Sequence, residues 1–597
     1  MNAFRFHRST GADRDPAAAG SRRRPWLAAA RVAPVVLAGT LVFAGCTATT
    51  TAAGEDSGTT DSTVSLAASA SVDPGVTAAE AMAANEDPPG EDGDDTWDAA
   101  SEVAVELDGS SATVAADAEG VSVDGDTVTI TAAGTYRLSG DLAGQVVVDT
   151  ADEGLVRLVL DGASITSDAS AAIAVTSADR VQVVLADGSE NSLADTSSYA
   201  DDADVNAALF SSADLEIAGS GALTVTGSGN DGITSKDGLL VSGGDITVDA
   251  VDDGVRGKDE VMVAGGTLTV TAGGDGLKAD DDEDADRGYV AIAGGTVTID
   301  AGGDGIDAAT DVVVWGGALD VTSGGGAGSP VAADTSAKGV KGAVSVVIDG
   351  GEVVVDAADD ALHTDNTAHV ADGELTLASG DDAVHAGVAL TVSGGTLEVT
   401  GSYEGLEADA IAIAGGTLRV RASDDGVNAG STLELGGGEL EVDADGDGID
   451  VNGSISMSGG TVVVQGPTEQ NNGAIDYDAQ FDITGGSIVA VGSNGMAMAP
   501  SADAAQASVL VAFSSTVPSG TDLQLVASDG TVVASITTAK SAGSLAVSTS
   551  ELVNGETYTV TAGGTTLGSA VAGEQVSAMG PGGGMGGPGG GAPAPRG

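Results

Sequence analysis

Thiol chemistry is all but missing from this chain. Its 597 residues include one cysteine, Cys46, so no intramolecular disulfide can form. Aromatic side chains are nearly as scarce, at 3%. A globular core normally draws on more aromatic volume, and a chain this long exceeds what one compact core organises. Positive charge is thin as well. Lys and Arg total 21 against 90 Asp and Glu, a formal net charge of −69. Such a surface repels nucleic acid and anionic head groups, which excludes both as partners. What basic charge there is gathers partly at the start, where Arg22, Arg23, Arg24 and Arg31 precede the apolar run Val32 to Ala44. That run is too short for an ordinary membrane span, and residues 1–45 read as a signal peptide.

The run ends Leu41-Val42-Phe43-Ala44-Gly45-Cys46. Small residues before a lone Cys resemble the bacterial lipobox. That resemblance implies lipidation of Cys46, with the mature chain extracellular and held to the membrane only by its lipid. A plain secretory signal with an incidental Cys is the alternative. Residues 46–102 are rich in Thr, Ser, Ala, Asp, Glu and Gly without apolar periodicity, so they are expected to be a flexible tether. Residues 578–597 form a Gly/Pro-rich tail.

Glycine is abundant, at 92 residues, and it is regularly placed. The second glycine of each Gly-Gly-x-apolar-x-apolar run, with Asp372 in place of the first at one corner, falls at Gly244, Gly266, Gly295, Gly317, Gly351, Gly373, Gly395, Gly416, Gly438, Gly460 and Gly486. Most steps are 22 residues, and the longer ones contain insertions such as Asp280 to Arg287 and Gly324 to Thr335. Within a repeat, Thr267-Leu268-Thr269-Val270 and Thr396-Leu397-Glu398-Val399 alternate with period two, the strand signature. Three short strands and three turns per 22 residues predict an all-β, right-handed parallel β-helix. In that register Ile233, Val255, Leu277, Ile306, Val340, Leu362, Val384, Leu406, Val427, Ile449 and Ile475 form one aliphatic ladder pointing inward. The Gly before most of them is expected to hold a tight turn with positive φ, although Ala361, Ala383 and Ala474 also occupy that place. Residues 103–228 are expected to form an N-terminal cap and first coils, 229–504 the regular coils, and 505–577 a small β-sandwich-like cap. Repeat rods need covered ends.

The stretches Asn206-Ala207-Ala208-Leu209-Phe210, Asn230-Asp231-Gly232-Ile233, Asp253-Gly254-Val255-Arg256-Gly257-Lys258, Ser402-Tyr403-Glu404-Gly405-Leu406-Glu407 and Asp424-Asp425-Gly426-Val427-Asn428 resemble, in content and order, the secreted carbohydrate-binding β-helix proteins first described in cellulolytic clostridia. So does Gly555-Glu556-Thr557-Tyr558-Thr559-Val560. The resemblance spans about residues 103–577. It implies a pectate-lyase-like β-helix, bound calcium, and binding of cellulose or acidic sugars. The chain departs from the family's Asp-Gly step at Asp360-Ala361 and Asp382-Ala383.

An acidic residue recurs before the turn, at Asp231, Asp253, Asp275, Asp304, Asp360, Asp382, Glu404, Asp425 and Asp447. Stacked coils set such residues about 4.8 Å apart, and carboxylates that close repel unless a cation intervenes. Calcium suits oxygen donors in loose geometry. The candidate ligands are Asp382, Glu404, Glu407, Asp425 and Asn428, with Asp445, Asp447 and Asp450 as a second group. Solvated turn Asp residues are the bland alternative. Asp280 to Asp284 is expected to be a solvated loop. A second column, two positions beyond each turn Gly or its Ala replacement, runs from Thr234, Arg256, Lys278, Asp307 and Lys341 through His363 and His385 to Glu407, Asn428, Asp450 and Asp476. Its cations fit uronate carboxylates or simple pairing with turn Asp residues. Two imidazoles on adjacent coils are weak evidence for a metal. Trp315 and Tyr403 are candidate sugar platforms. Three functions compete. One is non-catalytic binding of polysaccharide by a monomer at the cell surface. The second is a lyase using Lys278 or Arg256 as base. The third is a structural rod without a sugar ligand.

Overall fold

The computed structural model describes residues 75–90, 97–200, 202–332 and 335–574. The signal peptide, Cys46 and the Gly/Pro tail lie outside them. Among the described residues no helix is long and apolar enough to cross a membrane.

The repeat becomes a parallel β-solenoid of about 16 turns. Each coil has three faces. The first holds the strand after the Gly-Gly corner, as in Thr267–Ala272 and Thr296–Ala301. The second holds the short strand after the acidic turn, as in Val255–Gly257 and Leu277–Ala279. The third holds the strand before the next Gly-Gly, as in Glu260–Val263 and Tyr289–Ile292. Each strand pairs in parallel with its counterpart one coil on, and the registers carry Ile233 onto Val255, Leu277, Ile306 and Val340 in turn. The same ladder continues through Leu362, Val384, Leu406, Val427 and Ile449. All eleven predicted ladder residues are buried, each contributing about 1.5–3 kcal/mol by removal from water.

Positive φ falls elsewhere than expected. The corner glycines from Gly244 to Gly486, including Gly373 after Asp372, have φ between 72° and 104°, whereas Gly232, Gly254, Gly276 and the others before the aliphatic ladder do not show positive φ. Those positions need glycine for space. A Cβ on Gly254 or Gly426 would collide with Val270 or Val442 across the interior and press on the carbonyl of the next coil. In the coils of Ala361 and Ala383 the register that runs through Val355 continues with Leu377, which is not β-branched, and with Val399, after which the strand is bulged. Alanine is accommodated, fully buried, at both.

Both ends are closed by antiparallel structure. At the start, Val103–Gly109 pairs with Ala112–Val114, and Val121–Asp124 with Thr127–Ile130. At the far end, Ser487–Gly492 of the last coil pairs antiparallel with Ala542–Ser548, which also pairs with Ser508–Val517. A separate four-stranded sheet of Asp522–Ala527, Val532–Thr537, Thr557–Ala562 and Thr565–Val571 lies against this one. Their shared core includes Val509, Val511, Leu523, Leu525, Leu545, Val547, Tyr558 and Val560, the two-sheet packing expected of the cap.

Part of the expected tether is ordered. Residues 75–90 form a strap along the third face, with a short helix, Ala78–Ala84, started by a Thr77–Glu80 capping box. Ala78 and Ala81 pack on Val313 and Val347, flanked by Met82 and Trp315. Polar contacts pin it along its length. Asp349 accepts from the Ala78 N–H at 2.7 Å, Asp311 from Asn85 Nδ2 at 3.3 Å, and Arg287 pairs with Glu86 at 2.6 Å. The third-face strands beneath it are buried on both sides, so they read as continuous apolar runs such as Gly238-Leu239-Leu240-Val241 rather than as alternation.

Candidate functional site

The second face carries two neighbouring columns of ionisable side chains, placed by the turn and by the outward middle residue of the short strand. The turn acids do more than face solvent. One carboxylate oxygen accepts the backbone N–H at the same turn of the next coil. Asp275 N–H donates to Asp253 at 2.9 Å, Asp304 N–H to Asp275 at 2.8 Å, Asp382 N–H to Asp360 at 3.0 Å, and Asp447 N–H to Asp425 at 2.6 Å. Each such Asp satisfies a backbone donor that the coil stack leaves unpaired. Its second oxygen is left for the neighbouring column.

In the coils up to Lys341 that oxygen meets a cation. Lys278 Nζ lies 2.5 Å from Asp275 and 3.4 Å from Asp253. Lys341 lies 2.8 Å from Asp307 and 3.5 Å from Asp304. Arg256 reaches Asp231 at 3.8 Å and also pairs with Asp280. Burial opposes charge on Lys278 and Lys341, yet their acidic partners leave both held above the usual lysine range. Lys338 joins them, at 3.0 Å from Asp359 and 2.7 Å from Asp360. The insertion expected to be solvated is drawn in too. Asp280 holds Arg256, and Asp281 is buried, pairs with Lys258 at 2.7 Å, and is pulled down to about 2 by that ammonium.

The column changes sign at two histidines. His363 Nδ1 lies 2.7 Å from Asp360 Oδ2. His385 Nδ1 lies 3.1 Å from Asp382 Oδ2 and 2.7 Å from Glu407 Oε2. The two imidazoles stack with centroids 4.9 Å apart and planes 8° off parallel.

Beyond them, among the described residues, no Lys, Arg or His pairs with Glu404, Asp425, Asp447, Asp450 or Asp476. Burial, with repulsion from neighbouring acids, pushes Glu404 up to about 7, Asp425 to about 6 and Asp447 to about 7. Asp450 and Asp476 are raised for the same reasons. Oxygens of Asp425, Asp447 and Asp450 converge within 4.8 Å of one another, and Asn428 Nδ2 donates to Glu404 at 2.8 Å. An all-oxygen set of half-buried, mutually repelling carboxylates fits a calcium ion.

The structure therefore divides the predicted ligands. Glu404, Asp425, Asn428, Asp447 and Asp450 share an uncompensated stretch, whereas Asp382 and Glu407 are engaged by His385. Asp445 faces Lys540 of the terminal cap at 2.7 Å. Arg256, Lys278 and Lys341 share one column, as the repeat spacing predicts. Trp315 does not join them, because it lies on the other side of the coil beside the strap helix. Tyr403 is 48% exposed. It borders an open depression lined by Ala327, Ser329, Pro330, Asp359 and Asp381, next to Glu404. Sequence reasoning missed the inter-coil N–H bonds of the turn acids and the convergence on His385. The first leaves no signal beyond the Asp repeat, while the second depends on rotamers that column position does not dictate.

These features define a parallel β-helix that displays a continuous strip of charged side chains along one face. The model of the carbohydrate-binding domain-containing protein family matches residues 124–383 and 383–555, and the chain belongs to that family. A carbohydrate-binding domain-containing protein of Acetivibrio thermocellus is 42% identical over 126 residues, which are 20% of this chain and 44% of that protein. The match thus spans less than half of that relative's length. A solved structure described as a polysaccharide lyase-like protein from C. thermocellum, in a gadolinium derivative, is 33% identical. The likeness covers 42% of this chain and 94% of that one, with a TM-score of 0.34. The fold assignment rests on the strand registers, to which a superposition at that score adds nothing.

Proposed function

We propose that the protein is a non-catalytic, calcium-dependent binder of polysaccharide, taking acidic or cellulose-like glycans along the second face. Family membership supports carbohydrate as the ligand. The observation that carries the calcium reading is the run of carboxylates Glu404, Asp425, Asp447 and Asp450 on successive coils, beside Tyr403, with no cationic side chain against them among the described residues. Bound calcium would neutralise that run and leave coordination positions open to sugar hydroxyls or uronate carboxylates. Asp425, Asp447 and Asp450 would supply the oxygen cage, with Asn428 beside Glu404 at its edge; Tyr403 offers a ring to a sugar face, and Arg256, Lys278 and Lys341 extend the strip with positive charge. Coil spacing of about 4.8 Å sets these groups in a flat row that an extended polymer can follow.

A lyase would need Lys278 or Arg256 as an unprotonated base. Both are held protonated by flanking aspartates, which favours binding without turnover. Lipidation at Cys46 would place the strip at the cell surface, and a Cys46→Ala chain would then be released into the medium. The test of function is retention on polygalacturonate and on cellulose, with calcium and with chelator, alongside ultraviolet absorbance for unsaturated products. Calcium-restored retention without absorbance is expected. Retention that survives chelation would remove calcium from the account, and no retention on either glycan would leave a structural rod.

A further inference from the structure

Where the strand column changes from basic to acidic, three donors of mixed chemistry meet. His385 and Glu407 are register partners on adjacent coils, so the backbone ladder fixes their separation. Asp382 reaches the same point from the turn three residues before His385. One nitrogen and two carboxylate oxygens thus converge, all within 4.8 Å of one another. His385 Nδ1 is 3.1 Å and 2.7 Å from the two oxygens. Ligands of a tetrahedral ion at about 2.0–2.1 Å stand about 3.3 Å apart, so a movement of a few tenths of an ångström would open the cluster around such an ion.

Three neighbours set this cluster apart from the other acidic groups. The adjoining trio Asp359, Asp360 and Asp381 already has an ammonium, that of Lys338, against two of its members. The trio Asp425, Asp447 and Asp450 offers oxygen alone. His363 stacks on the His385 ring and is itself tied to Asp360, which fixes the imidazole plane as an outer-shell contact does at metal centres. The His385 and Glu407 side chains remain 29% and 35% exposed, so water or a ligand oxygen can complete the coordination.

We propose that Asp382, His385 and Glu407 form a site for a divalent transition-metal ion of the zinc class, separate from the all-oxygen calcium position one to three coils further on. An imidazole nitrogen with two carboxylates selects a borderline ion over calcium, which prefers six to eight oxygens. The carboxylates of Asp382 and Glu407 balance the charge of the ion.

The test uses the full chain, stripped of metal, titrated calorimetrically with Zn2+ in the presence and absence of saturating Ca2+. Co2+ serves as a spectroscopic probe of nitrogen ligation. One Zn2+ per chain is expected in both conditions. His385→Ala and Glu407→Gln should each weaken it at least tenfold and bleach the Co2+ visible bands. Glu441→Gln, on an exposed first-face acid, should change neither. Thermal melting of each variant checks that the coils remain folded, and His385→Gln serves if His385→Ala does not fold. Zn2+ uptake that calcium abolishes, uptake untouched by loss of His385, or no uptake by the wild-type chain would overturn the site. None of these outcomes depends on whether glycan or calcium binds.

Discussion

The second face runs through two chemical regimes on one backbone. From Asp231 to Lys341 each turn acid finds a lysine or arginine within 4.0 Å. From Glu404 to Asp476 the same turns, with the same inter-coil N–H bond at Asp425, find none among the described residues. The geometry is shared, so the difference lies in the residue two positions past each turn glycine: Arg256, Lys278 and Lys341, with Asp307 among them, against Glu407, Asn428 and Asp450. A β-helix can thus write a self-neutralised surface and a cation-demanding one with the same fold, by changing a single outward column.

The sharpest way to break the comparison is one substitution made in both regimes. Asparagine keeps the oxygen that accepts the next coil's N–H and removes the charge. Asp425→Asn with Asp447→Asn should lower calcium affinity by about two orders of magnitude in a titration. The same pair should raise the melting temperature of the calcium-free chain, because a repulsive pair is gone. Asp253→Asn or Asp275→Asn should do the opposite to stability, costing about 1–3 kcal/mol in denaturant unfolding, since Lys278 loses a partner while half-buried. Equal effects in both halves would dissolve the distinction.

The acid side of the comparison also has a pH signature. Glu404 and Asp447 rise to about 7 in the folded chain, above their unfolded values near 4. The folded state then binds more protons than the unfolded state between those limits, so stability falls as pH rises from about 4 to 7. Melting curves of the calcium-free chain should show this decline, and saturating calcium should flatten it. Two finer adjustments follow. Asn428→Lys imports the cation of the other regime and should weaken calcium about tenfold. Tyr403→Ala should reduce polysaccharide retention a few-fold while leaving the melting temperature unchanged, as expected for an exposed ring.

Much of this was legible before any coordinates, because in a stack the residue one repeat away is the spatial neighbour. The ladder from Ile233 to Ile475 and the column from Arg256 to Asp450 needed only the 22-residue spacing. The strap was not legible, since its helix has seven residues, too few to show periodicity, and its stability comes from Val313 and Val347 far along the chain. The packing of Trp315, read as a candidate sugar platform, was not legible for the same reason, because the helix it packs beside lies in a segment that read as tether. The positive φ went to the wrong glycine because composition shows where glycine is needed but not whether conformation or space requires it. The charge pairs were visible as possibilities, yet Asp281, at 2% exposure, shows that an acidic run is not thereby solvated.

The most direct test is the anomalous-scattering map of a crystal grown with calcium, collected where calcium scatters anomalously. The account predicts a peak among Asp425, Asp447 and Asp450, with no peak beside Lys278 between Asp253 and Asp275. A map without a peak in the carboxylate stretch, or with one in the lysine-paired stretch, would contradict it.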